Sequence, residues 1–316
     1  GGIMEKSKVY FTSFKATGNE NLLQKLHRLM KTAGFENIDF KDKYAAVKIH
    51  FGEYGNLAFL RPNYARVVAD YVKELGGKPF LTDCNTLYPG SRKNALEHLQ
   101  CAWENGFTAM TVGCPILIGD GLKGTDDIEV PVEGGEYIKS AKIGRAIMDA
   151  DIFISLSHFK GHETTGFGGA IKNMSIGIAS SGGKAWIHSA GKTKGDPWGN
   201  LPPQDDFLES MAEAAKAVAD HCGDKILYIS VANNLSVDCD CDASPEDPQM
   251  GDIGILASLD PIALDKACTD LVRASEDHGK IHLIERIDSR HGMHTLEYGE
   301  KLGIGSQKYE LVKLDK

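Results

Sequence analysis

The chain has 316 residues, of which 42% are hydrophobic and 25% charged, with a formal net charge of −9. That balance is globular and excludes long disorder, and the acidic excess argues against nucleic-acid binding, which needs clustered Lys and Arg to neutralise phosphates. No apolar run approaches the ~18–20 residues that cross a bilayer, and no charged start followed by an apolar stretch reads as a secretory signal; neither nucleic acid nor membrane is expected as a partner.

Strand-like and helix-like segments alternate along the chain. Lys8–Phe14 is β-rich, and Asn19–Thr32 carries leucines at helical spacing (Leu22, Leu23, Leu26, Leu29). Tyr44–Phe51 reads as a buried strand, and a helix starts at Pro62, where proline suits the first turn. Lys78–Thr82 is a strand, Arg92–Asn105 a helix and Cys114–Ile118 a strand. Lys139–Asp149 reads as helical, and Ile152–Leu156 as an apolar strand ending just before His158. Beyond a glycine-rich block come a Pro/Gly-rich loop at Thr193–Asp206 and a helix at Asp206–His221. Strands at Lys225–Val231 and Ile253–Ser258 precede a helix from Pro261 to Ala274, with Asp260 as its N-cap. Two more helical stretches and a strand at Tyr309–Val312 close the chain. This alternation predicts an α/β fold with largely parallel or mixed sheets flanked by helices. A single domain over 5–316 is expected, in which lobes of about 5–125 and 126–316 can hold a site between them.

Candidate chemistry falls just past the carboxyl ends of the predicted strands, where α/β proteins place their sites. His50, Asp83 with Cys84, His158, and the run Asp238–Asp242 all occupy such positions. The segment His158–His188 is the most concentrated. It combines His158, His162 and His188 with Lys172 after Gly168-Gly169 and Lys184 after Gly182-Gly183. Glycine at this density indicates backbone brought close to a ligand, a turn or another strand. His158 and His162 are spaced i, i+4, as a helical metal site requires, although Gly161 and the preceding strand oppose a regular helix and either ring can be merely structural. Lys172 can hold an anion, act as a nucleophile, or be solvated; Lys184 is open to the same readings. Neither belongs to a P-loop.

Asp238-Cys239-Asp240-Cys241-Asp242 packs three carboxylates and two thiols together. In extended chain Cys239 and Cys241 face one way, and thiolates favour borderline or soft metals such as zinc, iron or nickel; a polar surface loop is the alternative. The other cysteines, Cys84, Cys101, Cys114, Cys222 and Cys268, complete an odd, scattered set of seven with no C-x-x-C. Such a set makes no disulfide framework and suits a reducing compartment, the cytoplasm.

The blocks KIHFGE (48–53), TDCNTLY (82–88), HFKGHETTGFGGAIKNMSIG (158–177), DCDC (238–241) and DIGILASLDPIALDKA (252–267) carry a family resemblance. By them the chain is identified as a member of the uncharacterised iron–sulfur-centre protein family, known as domain of unknown function 362. Many of that family carry a ferredoxin-like insertion after the position of His188. This chain has the cysteine-free Thr193–Asp206 there, so no Fe–S cluster is expected. A weaker resemblance is to lactate racemases that use a nickel-pincer nucleotide, on the order His162, GFGG at 166–169, Lys172, a later glycine and His188. It implies that Lys172 tethers a cofactor, that His188 ligates a metal and that His162 handles a proton or hydride.

These readings predict His162 and Lys172 as catalytic residues, and Gly168, Gly169, Lys172 and Lys184 as cofactor-binding. They predict one metal ion of zinc, iron or nickel type held by Cys239, Cys241, His158 and His188. The functions they suggest are a metal- or cofactor-dependent redox or isomerase-like enzyme acting on a small anion, a non-catalytic metal or small-ligand binding protein, or a family remnant acting through a partner. Self-association into a homo-oligomer is also expected.

Overall fold

The computed structural model of the chain describes residues 6–199 and 201–315. Its centre is an eight-stranded sheet in the order β12-β1-β11-β10-β7-β2-β3-β4. The strands are β1 (Ser7–Thr12), β2 (Tyr44–Lys48), β3 (Lys78–Asp83), β4 (Ile116–Ile118), β7 (Ile152–His158), β10 (Ile226–Ala232), β11 (Gly254–Ser258) and β12 (Tyr309–Lys313). Only β11 runs against its neighbours β1 and β10; every other pairing in the sheet is parallel. The α/β class with a mostly parallel, helix-flanked sheet is therefore the observed one. Residues 5–125 and 126–316 both supply strands to this sheet, with β1 seated between β12 and β11.

The helices are α1 (Leu22–Thr32), α2 (Pro62–Glu74), α3 (Ala95–Glu104), α4 (Ala109–Val112), α5 (Arg145–Asp149), α6 (Ala170–Asn173), α7 (Ser181–His188), α8 (Gln204–Cys222), α9 (Pro261–Ala274), α10 (Lys280–Ser289) and α11 (His294–Lys301). They cover both faces of the sheet, so its middle strands are buried throughout: all seven residues of β7 and of β10 are. Period-two geometry splits each such strand between two cores. Ile152, Ile154 and Leu156 pack with α1 and α2 residues such as Leu26 and Val68, whereas Phe153 joins Phe207, Met211 and Ala263 on the opposite face.

Lys139–Asp149 departs from its predicted helix. Ser140–Gly144 is a strand, β6, paired antiparallel with β5 (Asp127–Pro131), and only Arg145–Asp149 is helical. Ala141 and Ile143 are buried while Ser140 and Lys142 are less so, an alternation that suits a strand and is hidden by the helix-forming residues that follow. Asp260 caps α9 as expected, its Oδ1 accepting from the Ala263 N–H at 3.0 Å. The same carboxylate accepts from the Ser7 hydroxyl at 2.6 Å and the Ser306 N–H at 2.8 Å, tying the cap to both ends of the chain.

One small element shapes the site. Immediately after β7 the chain folds into a hairpin of β8 (Lys160–His162) and β9 (Gly166–Gly168), which pair antiparallel and run into α6.

Candidate functional site

The carboxyl ends of β2, β3 and β7, the loop after β10 and the β8–β9 hairpin enclose a cavity of about 190 Å³. Lys48, His50, Asp83, His158, Lys160, His162, Lys172, Lys184, His188 and Cys241 all reach it, as do Gly168 and Gly169. Most of the glycine-rich block is thus one wall of the cavity.

Glycines let that wall form. A Cβ on Gly161 would stand 2.5–2.7 Å from the backbone of Val237, so only a bare backbone lets the 236–241 loop lie on the hairpin, where the Gly161 N–H donates to the Ser236 carbonyl at 2.8 Å. A Cβ on Gly169 would meet Asp265 Oδ1 at 2.4 Å. Buried Asp265, reaching over from α9, accepts from the Ala170 and Ile171 N–H groups at 2.7 and 3.0 Å and so satisfies the free amides that begin α6. That short helix carries Lys172.

The charged groups divide into those already paired and those left free. Lys48 is 1% exposed; its Nζ donates to Asn173 Oδ1 at 2.8 Å and lies 3.2 Å from Asp83. Buried Arg92 reaches Glu53 at 3.0 Å and Asp83 at 3.7 Å. Burial by itself would raise the Asp83 pKa, but Lys48, with His98 and His50, holds it well below the ordinary carboxylate value. Lys184 donates to the Ala179 carbonyl at 2.6 Å, and Lys160 lies 3.7 Å from Asp240. Lys172, half-buried at the cavity, has no hydrogen-bond or ion-pair partner for its ammonium among the described residues.

The histidines take three different settings. His158 Nε2 lies 2.6 Å from the Asn233 carbonyl and Nδ1 lies 2.8 Å from Asp240. Burial would raise the Asp240 pKa, but His158 and Lys160 outweigh it and keep the carboxylate ionised. Both ring nitrogens of His158 thus face oxygen atoms of the protein, Nε2 a carbonyl that can only accept.

His162 Nδ1 accepts from the Thr164 and Thr165 N–H groups at 3.0 and 3.2 Å. A backbone amide can only donate, so the neutral ring carries its proton on Nε2. Burial, then the charge of Lys172, lowers the His162 pKa and favours that neutral ring. His50 is held likewise, its Nδ1 accepting from the Gly52 N–H at 2.9 Å.

His188 stacks on Phe207 at 5.0 Å between ring centroids and tilts against Trp198. Its ring has no hydrogen bond among the described residues. Burial, then Lys172, His162 and Lys184, pushes its pKa down to about 3.

Cys239 and Cys241 come together with His162, their candidate ligand atoms all within 4.8 Å of one another. His158 and His188, expected in that set, are not part of the group. A hydrogen bond from the Cys241 thiol holds the Cys239 pKa well below that of an ordinary thiol against the effect of burial, and the charges of Lys160 and Lys172 add to it. The same bond, with burial, pushes the Cys241 thiol up. Within the pair, Cys239 is the more acidic sulfur and is fully buried, while Cys241 reaches the cavity.

Sequence reasoning did not single out Lys48, Arg92 or Lys160, and named Asp240 only within the Asp238–Asp242 run. Lys48 had a signal, a lysine closing an otherwise apolar strand, since lysine is almost never fully buried unpaired. Arg92 had none, because only the packing of its loop against β3 brings it to Asp83.

The chain belongs to the family described as Domain of unknown function (DUF362), whose family model matches residues 45–270. It is 27% identical over 227 residues to a thylakoid-associated protein of a Synechocystis species, a match that covers 69% of this chain and 59% of that protein. The chain therefore spans about three-fifths of the length of this curated relative. Among solved structures it resembles the lactate racemase apoprotein of Thermoanaerobacterium thermosaccharolyticum, with a TM-score of 0.48 and 11% identity, over 83% of this chain and 56% of that one. A protein of Thermotoga maritima overlaps with a TM-score of 0.46 and 14% identity, over 80% of this chain and 58% of that one. Among the described residues no helix is long and apolar enough to cross a membrane.

Proposed function

We propose that the cavity binds a small anionic molecule, with Lys172 as its principal contact and His162 as the group that moves a proton on it. The observation that carries this reading is the contrast among the cations around the cavity. Lys48, Arg92, Lys160 and Lys184 each face a carboxylate or carbonyl, while Lys172 faces none among the described residues. An unpaired ammonium in a mostly enclosed, cation-rich cavity is stabilised by an incoming carboxylate or phosphate. The volume of about 190 Å³ lies below the ~300–1,000 Å³ of pockets for drug-sized ligands, which favours a small anion.

His162 supports an isomerase-like proton transfer more than a fixed structural role. Its ring is neutral and its Nε2–H faces the Cys239 sulfur, with Glu163 Oε2 3.8 Å away, so the ring sits between a ligand in the cavity and a proton-exchanging thiol. General acid–base catalysis asks for a positioned group of this kind. Gly168 and Gly169 would let the ligand approach backbone, and Lys184 would add positive potential from the cavity wall.

Calorimetric titration with inorganic phosphate and with a panel of short hydroxy acids tests the reading. At least one is expected to bind, and Lys172→Ala to weaken it by about tenfold or more, the scale of one lost charge-assisted hydrogen bond. Equal affinity in wild type and Lys172→Ala, or no binding by any member of the panel, would overturn it.

A second reading, a soft metal ion on Cys239 and Cys241, is favoured by the closeness of the two thiols and His162. Two thiols suit zinc, iron or nickel. His162 fits less well, since metal at Nε2 displaces the proton that the Nδ1 contacts place there; a ligating histidine ordinarily donates from its other nitrogen. Elemental analysis of chelator-free protein beside a Cys239→Ser/Cys241→Ser variant tests it, and equal metal in the two would exclude the thiols as ligands.

A further inference from the structure

A second group of ligand-type side chains lies where the first turns of α8 meet the corner between α10 and α11. Asp205, His291 and His294 each bring a ligand atom within 4.8 Å of the others. Glu209, one helical turn after Asp205 and on the same face, places Oε2 3.2 Å from His294 Nε2. His291 Nδ1 lies 2.6 Å from Asp205 Oδ1. The two imidazoles lie nearly parallel, with centroids 5.0 Å apart and planes 11° from one another.

The φ of 54° at His291 is the left-handed cap of α10, with the His291 N–H on the Asp288 carbonyl at 3.0 Å and the Gly292 N–H on the Ile287 carbonyl at 2.8 Å; it fixes where the imidazole leaves the corner. One detail exceeds what surface ion pairs need. His294 Nε2 is enclosed and has no hydrogen-bond partner of acceptable geometry, while its Nδ1 faces Glu297 Oε2 at 3.4 Å. An imidazole oriented by a carboxylate on one nitrogen, with the other turned into a group of oxygen and nitrogen donors, is how metal-ligating histidines are commonly held.

The corner is also anchored independently of any ion. The Gln204 side-chain amide donates to the Thr164 carbonyl at 2.7 Å and the Arg290 carbonyl at 3.0 Å. Arg290 Nε donates to the Glu163 carbonyl at 2.8 Å. The ligand-type residues are therefore presented by a preset backbone, which lowers the ordering cost of binding.

We propose that Asp205, Glu209, His291 and His294 form a structural site for a divalent first-row transition ion, with zinc as its probe. Two imidazoles and two carboxylates supply the borderline nitrogen and hard oxygen donors such an ion takes, and four ligands suffice for a closed tetrahedral site. The ion joins α8 to the α10–α11 corner. That corner grips the Glu163–Thr165 turn, whose N–H groups hold His162 in the cavity, so the site braces a cavity wall from outside. It is separate from the thiol pair and does not depend on the anion-binding reading.

Zinc content and zinc titration of the full chain test the proposal in a Cys239→Ser/Cys241→Ser background, which removes the thiols as competing ligands. One zinc per chain is expected there, and none when His291→Ala and His294→Ala are added. Glu297→Gln in the same background is expected to weaken zinc by about 10–100-fold, as loss of an orienting carboxylate does. Cobalt in place of zinc is expected to show ligand-field bands without thiolate charge transfer. Far-UV circular dichroism checks folding, with His291→Gln/His294→Gln replacing the alanine pair should that pair misfold. Equal zinc with and without the two histidines, or no zinc in the thiol-free background, would overturn the proposal.

Discussion

The two walls of the cavity hold similar charges in opposite states. On the β2–β3 side, Lys48, Asp83, Arg92 and Glu53 are joined into one buried network. On the hairpin–α7 side, Lys172 and His188 stand beside the same cavity with no polar partner among the described residues. A buried charge needs compensation for the protein to fold, so the first wall is part of the folded state's own stability. Lys172 keeps enough exposure to remain hydrated without a partner and is available to a ligand. The first wall holds the shape, and the second is the one the proposed anion would meet.

The sharpest break in that comparison is Asp83→Ala. It strands Lys48 and leaves Arg92 only Glu53, and is expected to cost about 3–5 kcal/mol, measured by urea unfolding. A loss below about 1 kcal/mol would show that the network is not the support described here. Next in size is Gly161→Ala, whose methyl group collides with the Val237 backbone. It is expected to cost about 1–3 kcal/mol through displacement of the 236–241 loop, and to make the Cys239 thiol less acidic in a thiol-reactivity titration against pH.

His188 contributes through pH. Its folded pKa of about 3 lies below the ordinary value of 6.5. The stability gained by keeping the ring neutral is therefore complete above pH 6.5 and is lost as pH falls towards 3. His188→Phe, which keeps a ring to stack on Phe207, should flatten the fall in unfolding free energy between those limits; an unchanged acid limb would place that dependence elsewhere. The smallest stability effect is expected for Lys172→Ala, within about 0.5 kcal/mol, although it is the variant expected to affect anion binding most. A large loss of stability there would move Lys172 to the side of the structural charges.

Much of the fold was legible because the core period shows in the residues. β7 and β10 read as buried strands from their apolar runs, and Pro261 after Asp260 marked the start of α9. Ser140–Gly144 was misread because its two alternating apolar residues adjoin a genuine short helix, and only pairing with β5 decides between the two. At the cavity, the closeness of Lys172, His162, Gly168 and Gly169 was legible from residue type and spacing, and all four line it. That both His158 nitrogens face protein oxygens was not legible from sequence, since the partners Asn233 and Asp240 lie 75 and 82 residues away.

The sequence by itself determined the α/β alternation, the chemical groups available and the block that would line a cavity, because periodicity and residue type are local properties. Only the tertiary structure decided which groups are free. Pairing of a charge and the placement of an imidazole proton depend on neighbours brought together from distant segments. Thus of Lys48 and Lys172, both lysines near glycines or strand ends, the first lies 3.2 Å from Asp83 and the second has no ion-pair partner among the described residues. His158, His162 and His291, alike in sequence, ended respectively between Asp240 and the Asn233 carbonyl, at the cavity beside the thiol pair, and at the corner after α10 beside Asp205.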